Sequence, residues 1–518
     1  MAGSRVSGGN EANAEARNMI ATHALPWQIR AGLLSLCWLA IASLVWAQLG
    51  GTASARAGKA HSAYAPPTSL TLGFNDDEVD RLSDPAEITT VMDRAHADGA
   101  SVWRFQLAWA AVAPTKPPSL AEAANPDWSG YDWASTDATV EEIAAAGMTP
   151  LIALQDAPVW AEGPNRPPTS LAPAGTWEPS ASWFGAFATA LAKRYSGTFI
   201  PAGSSQTLPA VRDWEAWNEP NLAVFLTPQW TASKRPMSPG IYRTLLNAFY
   251  KGVKSVAAKD LVAGGTTAPF GDPPGGQRMP PVTFWRSLLC ISAGARPHST
   301  HCHERVYMSA ISHHPYPLGP PTTHAVDPGD ISVPDLGRIT TLIPIAERAG
   351  TLLPRGPKPL WITEFSWDSN PPNPSGLSPA LQAEYLEGAF YVLWKQGVSL
   401  ITWWNIRDDH YSPGWVTTLA SGIYYDGSTP AEDTPKPSYT AYTFPFTAYA
   451  TKGVAALWGM APTAGPVTIE VESNGSWTKA ITLQAGTNRI FSGSLFAGVG
   501  TNLRALSAND TSLTWTVF

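Results

Sequence analysis

The sequence is poor in charge and in cysteine. Charged residues fill only 14% of the 518 positions, and 34 Lys and Arg face 41 Asp and Glu for a formal net charge of −7. With no basic excess there is no electrostatic footprint for nucleic acid, and none is expected as a partner. Only three cysteines occur. Cys37 lies within an apolar run, which leaves Cys290 and Cys302 to close a short loop in an oxidising compartment. His298, His301 and His303 crowd the same loop and keep a metal site as the rival. Without a second cysteine pair or a C-x-x-C spacing the disulfide is preferred, and no metal is assigned. No internal repeat is visible outside the pattern of elements described below.

Aromatic residues, by contrast, are plentiful. They reach 10% of the chain, with 23 tryptophans among them. Core and strand packing accounts for part of that excess, and the rest suits a carbohydrate cleft, because sugar C–H faces stack on indole rings. The length suits one large domain plus an accessory. At the N-terminus Arg5, Arg17 and Arg30 precede an uninterrupted apolar run from Ala31 to Ala47, followed by small residues in an A-x-A manner up to Ala57. Residues 1–57 therefore read as an export signal or a membrane anchor, the run being at the short end for a bilayer span. The mature protein is expected outside the cell, secreted or tethered through residues 31–47. Residues 58–68, rich in Ala, Ser and Pro, read as a disordered linker.

From there short apolar strands alternate with amphipathic helices. Strands are expected over 70–75, 101–107, 149–155, 211–218, 261–266, 306–313, 359–364 and 399–405, and helices over 85–97, 136–146, 182–195, 241–259, 336–349 and 379–395. Glycine follows several helices, as at Gly99, Gly147 and Gly397, which is C-cap chemistry. Eight βα units imply an α/β fold, a (β/α)8 TIM barrel over 69–450, with the proline-rich loops after the strands walling a cleft on its C-terminal face. Over 455–518 the hydrophobicity alternates with period two between Asn-Gly and Asn-Asp turns, as in a small β-sandwich-like module. Packing against the barrel is its expected role, and sugar binding the alternative.

One stretch, V-R-D-W-E-A-W-N-E-P-N-L from Val211 to Leu222, organises the rest. Alternation puts Trp214, Ala216 and Asn218 on one face of this strand and Asp213, Glu215 and Trp217 on the other. Glu219 stands at its exit, with Pro220 ending the strand. Far downstream Pro359-Leu-Trp-Ile-Thr-Glu364 delivers a second strand-end glutamate. Two such carboxylates on one face of a barrel are what a two-carboxylate hydrolase needs.

With these motifs, residues from about 68 to 450 resemble a retaining glycoside hydrolase of clan A, most closely families 39 and 5, the latter cellulase-like. The resemblance implies Glu219 as acid/base and Glu364 as nucleophile. It also implies Arg104 on strand two as a brace for the nucleophile, His314 and Tyr316 in the site, and one of Trp403 and Trp404 as a sugar platform. The spacing to Asp408 favours Trp404. Leu154-Gln155-Asp156 departs from relatives that carry histidine on strand three.

Retaining hydrolysis requires Glu219 protonated and Glu364 ionised near neutral pH, so their surroundings must differ. Arg104 and a hydrogen bond from Tyr316 would hold Glu364 anionic. Asn218 is expected to reach the sugar 2-hydroxyl, and Trp160, Trp109 and Trp367 to line neighbouring subsites. The reading is a monomeric β-glycoside hydrolase acting on an oligo- or polysaccharide without metal or cofactor. A non-catalytic glycan-binding protein and a transglycosylase using the same covalent intermediate are the rivals.

Overall fold

The computed structural model describes residues 63–77, 79, 82, 84–294, 296–300, 304–410 and 420–518. Eight parallel strands close into a barrel in which each strand pairs with its neighbours in sequence and the last returns to the first. They are β1 (Thr71–Asn75), β2 (Val102–Ala108), β3 (Thr149–Gln155), β4 (Asp213–Ala216), β5 (Leu261–Thr267), β6 (Ala310–His313), β7 (Leu360–Ile362) and β8 (Val398–Trp404). Helices α1 (Pro85–Ala97), α2 (Ala134–Ala145), α3 (Ala181–Arg194), α4 (Ser238–Val256), α5 (Pro281–Leu288), α6 (Ile343–Ala349), α7 (Pro379–Lys395) and α8 (Pro437–Thr443) accompany them.

Local sequence explains most boundaries. Asp84 accepts from the Ala86 N–H at 2.9 Å and Ser378 from the Leu381 N–H at 3.3 Å, each with proline in the first helical position behind it. This is N-cap chemistry with a residue whose missing N–H costs nothing there. Gly99, Gly147 and Gly397 take φ of 97°, 85° and 95°, as expected of residues following helix ends.

Four expectations need correction. The strand expected over 306–313 is split: Val306–Tyr307 pairs with Leu352–Leu353 outside the barrel, and only Ala310–His313 joins it. The chain changes partner between, the Met308 N–H donating to Leu353 O and the Ser309 N–H to Val262 O. The helix expected over 336–349 is interrupted, because Pro344 fits only the first turn of α6 and so ends the preceding helical turn, Gly337–Thr340. Helix α5 was not foreseen, although Pro281, Phe284, Trp285 and Leu288 bury one helical stripe. Residues 63–68 are not a loose linker: Trp394 Nε1 donates to Pro67 O at 2.9 Å and the Ala63 N–H to Thr340 Oγ1 at 3.1 Å.

The export or anchor segment, residues 58–62 of the linker, and Cys302, His301 and His303 lie outside the described residues. Among the described residues no helix is long and apolar enough to cross a membrane, and no cluster of His, Cys, Asp and Glu is arranged to hold a metal. Strands β9 (Phe446–Thr451), β10 (Val454–Met460), β11 (Gly465–Ser473), β12 (Ser476–Ala485), β13 (Ile490–Phe496) and β14 (Asn502–Ser507) form two antiparallel sheets. Phe446, Leu457, Val467, Ile469, Phe491 and Leu503 share one apolar core between them. The first sheet begins at Phe446, ahead of the change in sequence texture at 455.

Inside the barrel, Val102, Leu151, Ala263, Ala310, Trp361 and Leu400 form a separate apolar plug. Each belongs to the inward-facing set of its strand, so residues two further along point the same way, one layer nearer the C-terminal face. That next layer contains Arg104, Ser312, Thr363 and Thr402.

Candidate active site

Arg104 is fully buried and sits at the centre of this layer. Its Nε donates to Glu215 Oε2 at 2.6 Å, Nη2 to Asn218 Oδ1 at 3.0 Å and Nη1 to Glu364 Oε2 at 3.5 Å. With its amide turned so that the oxygen faces Nη1, Asn75 at the end of β1 also accepts from Arg104 at 3.1 Å. A buried guanidinium held on several sides by acceptors is the arrangement that makes burying such a charge tolerable. Arg104 therefore reaches the nucleophile candidate, but its shortest contact goes to Glu215, which the sequence reading had put on the opposite face from Asn218 and given no role.

Strict pleating would turn Asn218 away from Glu215. The strand ends at Ala216, and Trp217 takes φ 74°, Glu219 φ 37°. A bulky residue in the left-handed region is a strained exception. The step breaks the alternation, so Asn218 swings inward to Arg104 while Trp217 turns outward, its Nε1 donating to Phe225 O at 3.0 Å and its ring lying 5.4 Å from Phe184. The Glu219 N–H donates to Thr266 O at 3.0 Å, and Thr266 Oγ1 donates back to Trp217 O at 3.2 Å. Behind them Asn221 accepts from the Ala268 N–H and donates to Ala268 O and Met279 O, which locks the loop.

His314 joins the two glutamates. Its Nδ1 lies 3.0 Å from Glu219 Oε1 and 3.3 Å from Glu364 Oε2. Those two oxygens can be no farther apart than these distances laid end to end, so the two carboxyl groups meet at a single imidazole nitrogen. Tyr316 donates to Glu364 Oε1 at 3.0 Å. Its neighbour His313, of opposite parity, points out of the barrel to Thr267 Oγ1 and Ile331 O.

The electrostatics separate the pair. Burial pushes the Glu219 carboxyl well above its usual range and the charge of Glu364 pushes it further, against the pull of Arg104. Burial also raises Glu364, to about 7, while Arg104 and the Tyr316 hydrogen bond hold it down and Asp77 opposes them. Glu364 is the carboxyl that ionises first. Burial, with Arg104 and His313 adding repulsion, keeps His314 neutral.

Trp404 is the inward member of its pair, 8% exposed, with no hydrogen-bond partner for Nε1 among the described residues. Trp403 is buried and donates to Ser421 O, its ring edge-to-face with Phe365 at 5.2 Å. Asp408, which served to choose between them, is not part of the site and pairs with Lys436 Nζ at 2.6 Å. Trp109 is 1% exposed and packs between Phe184 and Phe187, so it is core and not a subsite. Trp160 is half-buried, its Nε1 donating to Ala113 O at 2.9 Å and its ring edge-on to Trp109 and Trp183. Trp367, 8% exposed, donates to Gly319 O at 3.0 Å. On β3, Gln155 hydrogen-bonds Gln106 through its amide nitrogen.

Neither a protein-family model nor a curated protein sequence matches the chain. Among solved structures it is similar to a family 39 glycoside hydrolase from the gut symbiont Bacteroides cellulosilyticus WH2, at 18% identity over 82% of this chain and 79% of that one, with a TM-score of 0.48. A glucosidase from Croceicoccus marinus is similar at 14% identity over 82% of each chain, TM-score 0.46. A family 30 subfamily 8 xylanase from Clostridium acetobutylicum is similar at 14% identity over 84% and 95%, TM-score 0.42. The barrel stands independently of these, on its own strand pairing.

Proposed function

We propose that the chain is a retaining β-glycoside hydrolase of the clan A type, acting on an oligo- or polysaccharide, with Glu364 as nucleophile and Glu219 as acid/base. The observation that carries this reading is the single His314 nitrogen lying 3.0 Å from one carboxylate and 3.3 Å from the other. Carboxylates that close suit attack on the anomeric carbon by one and protonation of the leaving oxygen by the other.

In the first step a Glu364 oxygen bonds to the anomeric carbon as the glycosidic bond breaks, and Glu219 gives its proton to the departing oxygen. Glu364 becomes a neutral ester, and Glu219 is left as the carboxylate. Loss of the neighbouring charge lowers the affinity of Glu219 for a proton only partly, because burial continues to raise it, so it remains a competent base. Water then attacks the anomeric carbon, its proton passes to Glu219, and the ester bond breaks to restore the Glu364 carboxylate. Arg104 and Tyr316 favour the charged form of Glu364 at the start and the end of this cycle.

Arg104 occupies the oxygen of the Asn218 amide, which leaves the amide nitrogen as a donor to the sugar 2-hydroxyl, where hydrogen bonds tighten in the transition state. The inward indole of Trp404 carries the apolar face of the same sugar. The test is incubation of the chain with a panel of β-linked glycans, with and without added sugar acceptor, beside the Glu364→Gln variant. Released reducing sugar from the wild type alone supports hydrolysis. Transfer products in place of released sugar would favour a transglycosylase, and equal glycan binding without turnover by both proteins would favour a non-catalytic binder.

A further inference from the structure

We infer that Thr363 and Ser312 are positioning residues that keep the His314 proton on Nδ1, so that one N–H donates to whichever glutamate carries the negative charge. The part played by that N–H in turnover rests on the two-carboxylate reading above; the placement of the proton rests on hydrogen bonding alone.

His314 Nε2 lies 3.1 Å from Thr363 Oγ1, and Thr363 Oγ1 lies 2.6 Å from Ser312 Oγ. All three side chains are buried. Thr402 Oγ1 donates to Thr363 O at 2.6 Å and pins the peptide that carries this hydroxyl. A threonine hydroxyl has one proton and can accept in addition. If Ser312 donates to Thr363, Thr363 donates to Nε2, and the ring proton is forced to the opposite nitrogen. There Nδ1–H faces Glu219 Oε1 at 3.0 Å and Glu364 Oε2 at 3.3 Å, two acceptors.

The opposite tautomer fits poorly. Nε2–H would donate to Thr363, and the bare Nδ1 lone pair would then point at Glu364, the carboxylate that ionises first, with like polarity facing like. Only a proton on Glu219 could satisfy it, and that proton would be turned away from the leaving oxygen. A doubly protonated ring is disfavoured by burial and by Arg104. With Nδ1–H in place, the hydrogen bond strengthens towards Glu364 before attack. It then shifts to Glu219 once the ester has formed, without any movement of the ring.

Nothing in the sequence motif asks for Thr363 or Ser312 to act in this way. Both are inward residues of β6 and of the turn after β7, and their hydroxyls reach the glutamates only through His314.

The experiment uses the full chain labelled with ¹⁵N-histidine. Long-range proton–nitrogen correlation spectra at neutral pH report which ring nitrogen is protonated, and the His314→Gln variant identifies the His314 signals by their loss. The wild type should show protonated Nδ1 and bare Nε2. In Thr363→Val, which keeps the shape but lacks the hydroxyl, a mixture of tautomers should appear and kcat on an aryl glycoside should fall roughly 10- to 100-fold with little change in KM. Thr363→Ser should restore both, and Ser312→Ala should give an intermediate result.

A wild-type spectrum with protonated Nε2 overturns the inference, as does a Thr363→Val variant with unchanged tautomer and unchanged kcat. Should no glycoside be turned over by the wild type, the hydrolase reading fails, while the spectrum still decides where the proton sits.

Discussion

Two layers inside one barrel, built by the same strands and two residues apart, have opposite character. The lower layer, Val102, Leu151, Ala263, Ala310, Trp361 and Leu400, is an apolar plug. The upper layer, starting from Arg104, Glu215, Ser312, Thr363 and Thr402, is buried just as deeply but carries charges and hydroxyls that occupy one another. Burying apolar surface stabilises, whereas burying a guanidinium and carboxylates together costs desolvation that pairing only offsets. The apolar lower layer holds the cylinder closed, and the polar upper layer is where the proposed chemistry would take place.

Substitutions should divide along that line. Glu364→Gln should lower kcat by on the order of 10⁴-fold or more while leaving the thermal midpoint equal or higher, since it removes a buried carboxylate from beside Glu219; initial rates and calorimetry check both halves. Glu219→Gln should cost roughly 10²- to 10⁴-fold on substrates with poor leaving groups and far less on dinitrophenyl glycosides, which need no proton; a leaving-group series reads this directly. In the lower layer, Leu151→Ala should cost about 2–5 kcal/mol of stability by denaturant unfolding, with kcat of the folded protein unchanged. A Leu151 variant that lost activity without losing stability would break the comparison.

The smallest effect is on pH. Tyr316→Phe removes a hydrogen bond that lowers the Glu364 pKa. That pKa therefore rises, and because Glu364 must be ionised to attack, the acid limb of kcat/KM should move to higher pH. Arg104, a larger influence on the same carboxyl, should move it further in the same direction when replaced by Met. A shift to lower pH would mean that another group controls the limb.

Much of this was legible in the sequence where one periodicity ran unbroken. Strand β3 falls where its short apolar run put it, and α1 and α7 begin at their prolines and end just before the expected glycines. The motifs also led to Glu219, Glu364, Arg104, His314 and Tyr316, which the barrel brings together. What escaped depended on backbone steps that alternation cannot express. The left-handed Trp217 turns Asn218 inward beside Glu215 and so reveals Glu215 as the closest partner of Arg104. Thr363 and Ser312 look like ordinary strand residues until His314 stands between them and the carboxylates. Tryptophan number alone could not separate Trp109, locked in the core, from Trp404 at the mouth.

The most direct measurement is trapping of the covalent intermediate. Incubation with a panel of 2-deoxy-2-fluoro glycosides bearing dinitrophenyl leaving groups, followed by intact mass and peptide mapping, should add one fluorosugar to the peptide containing Glu364. The adduct should be absent from Glu364→Gln. A label on any other residue, or turnover of the parent substrate with inversion at the anomeric carbon, would contradict the account.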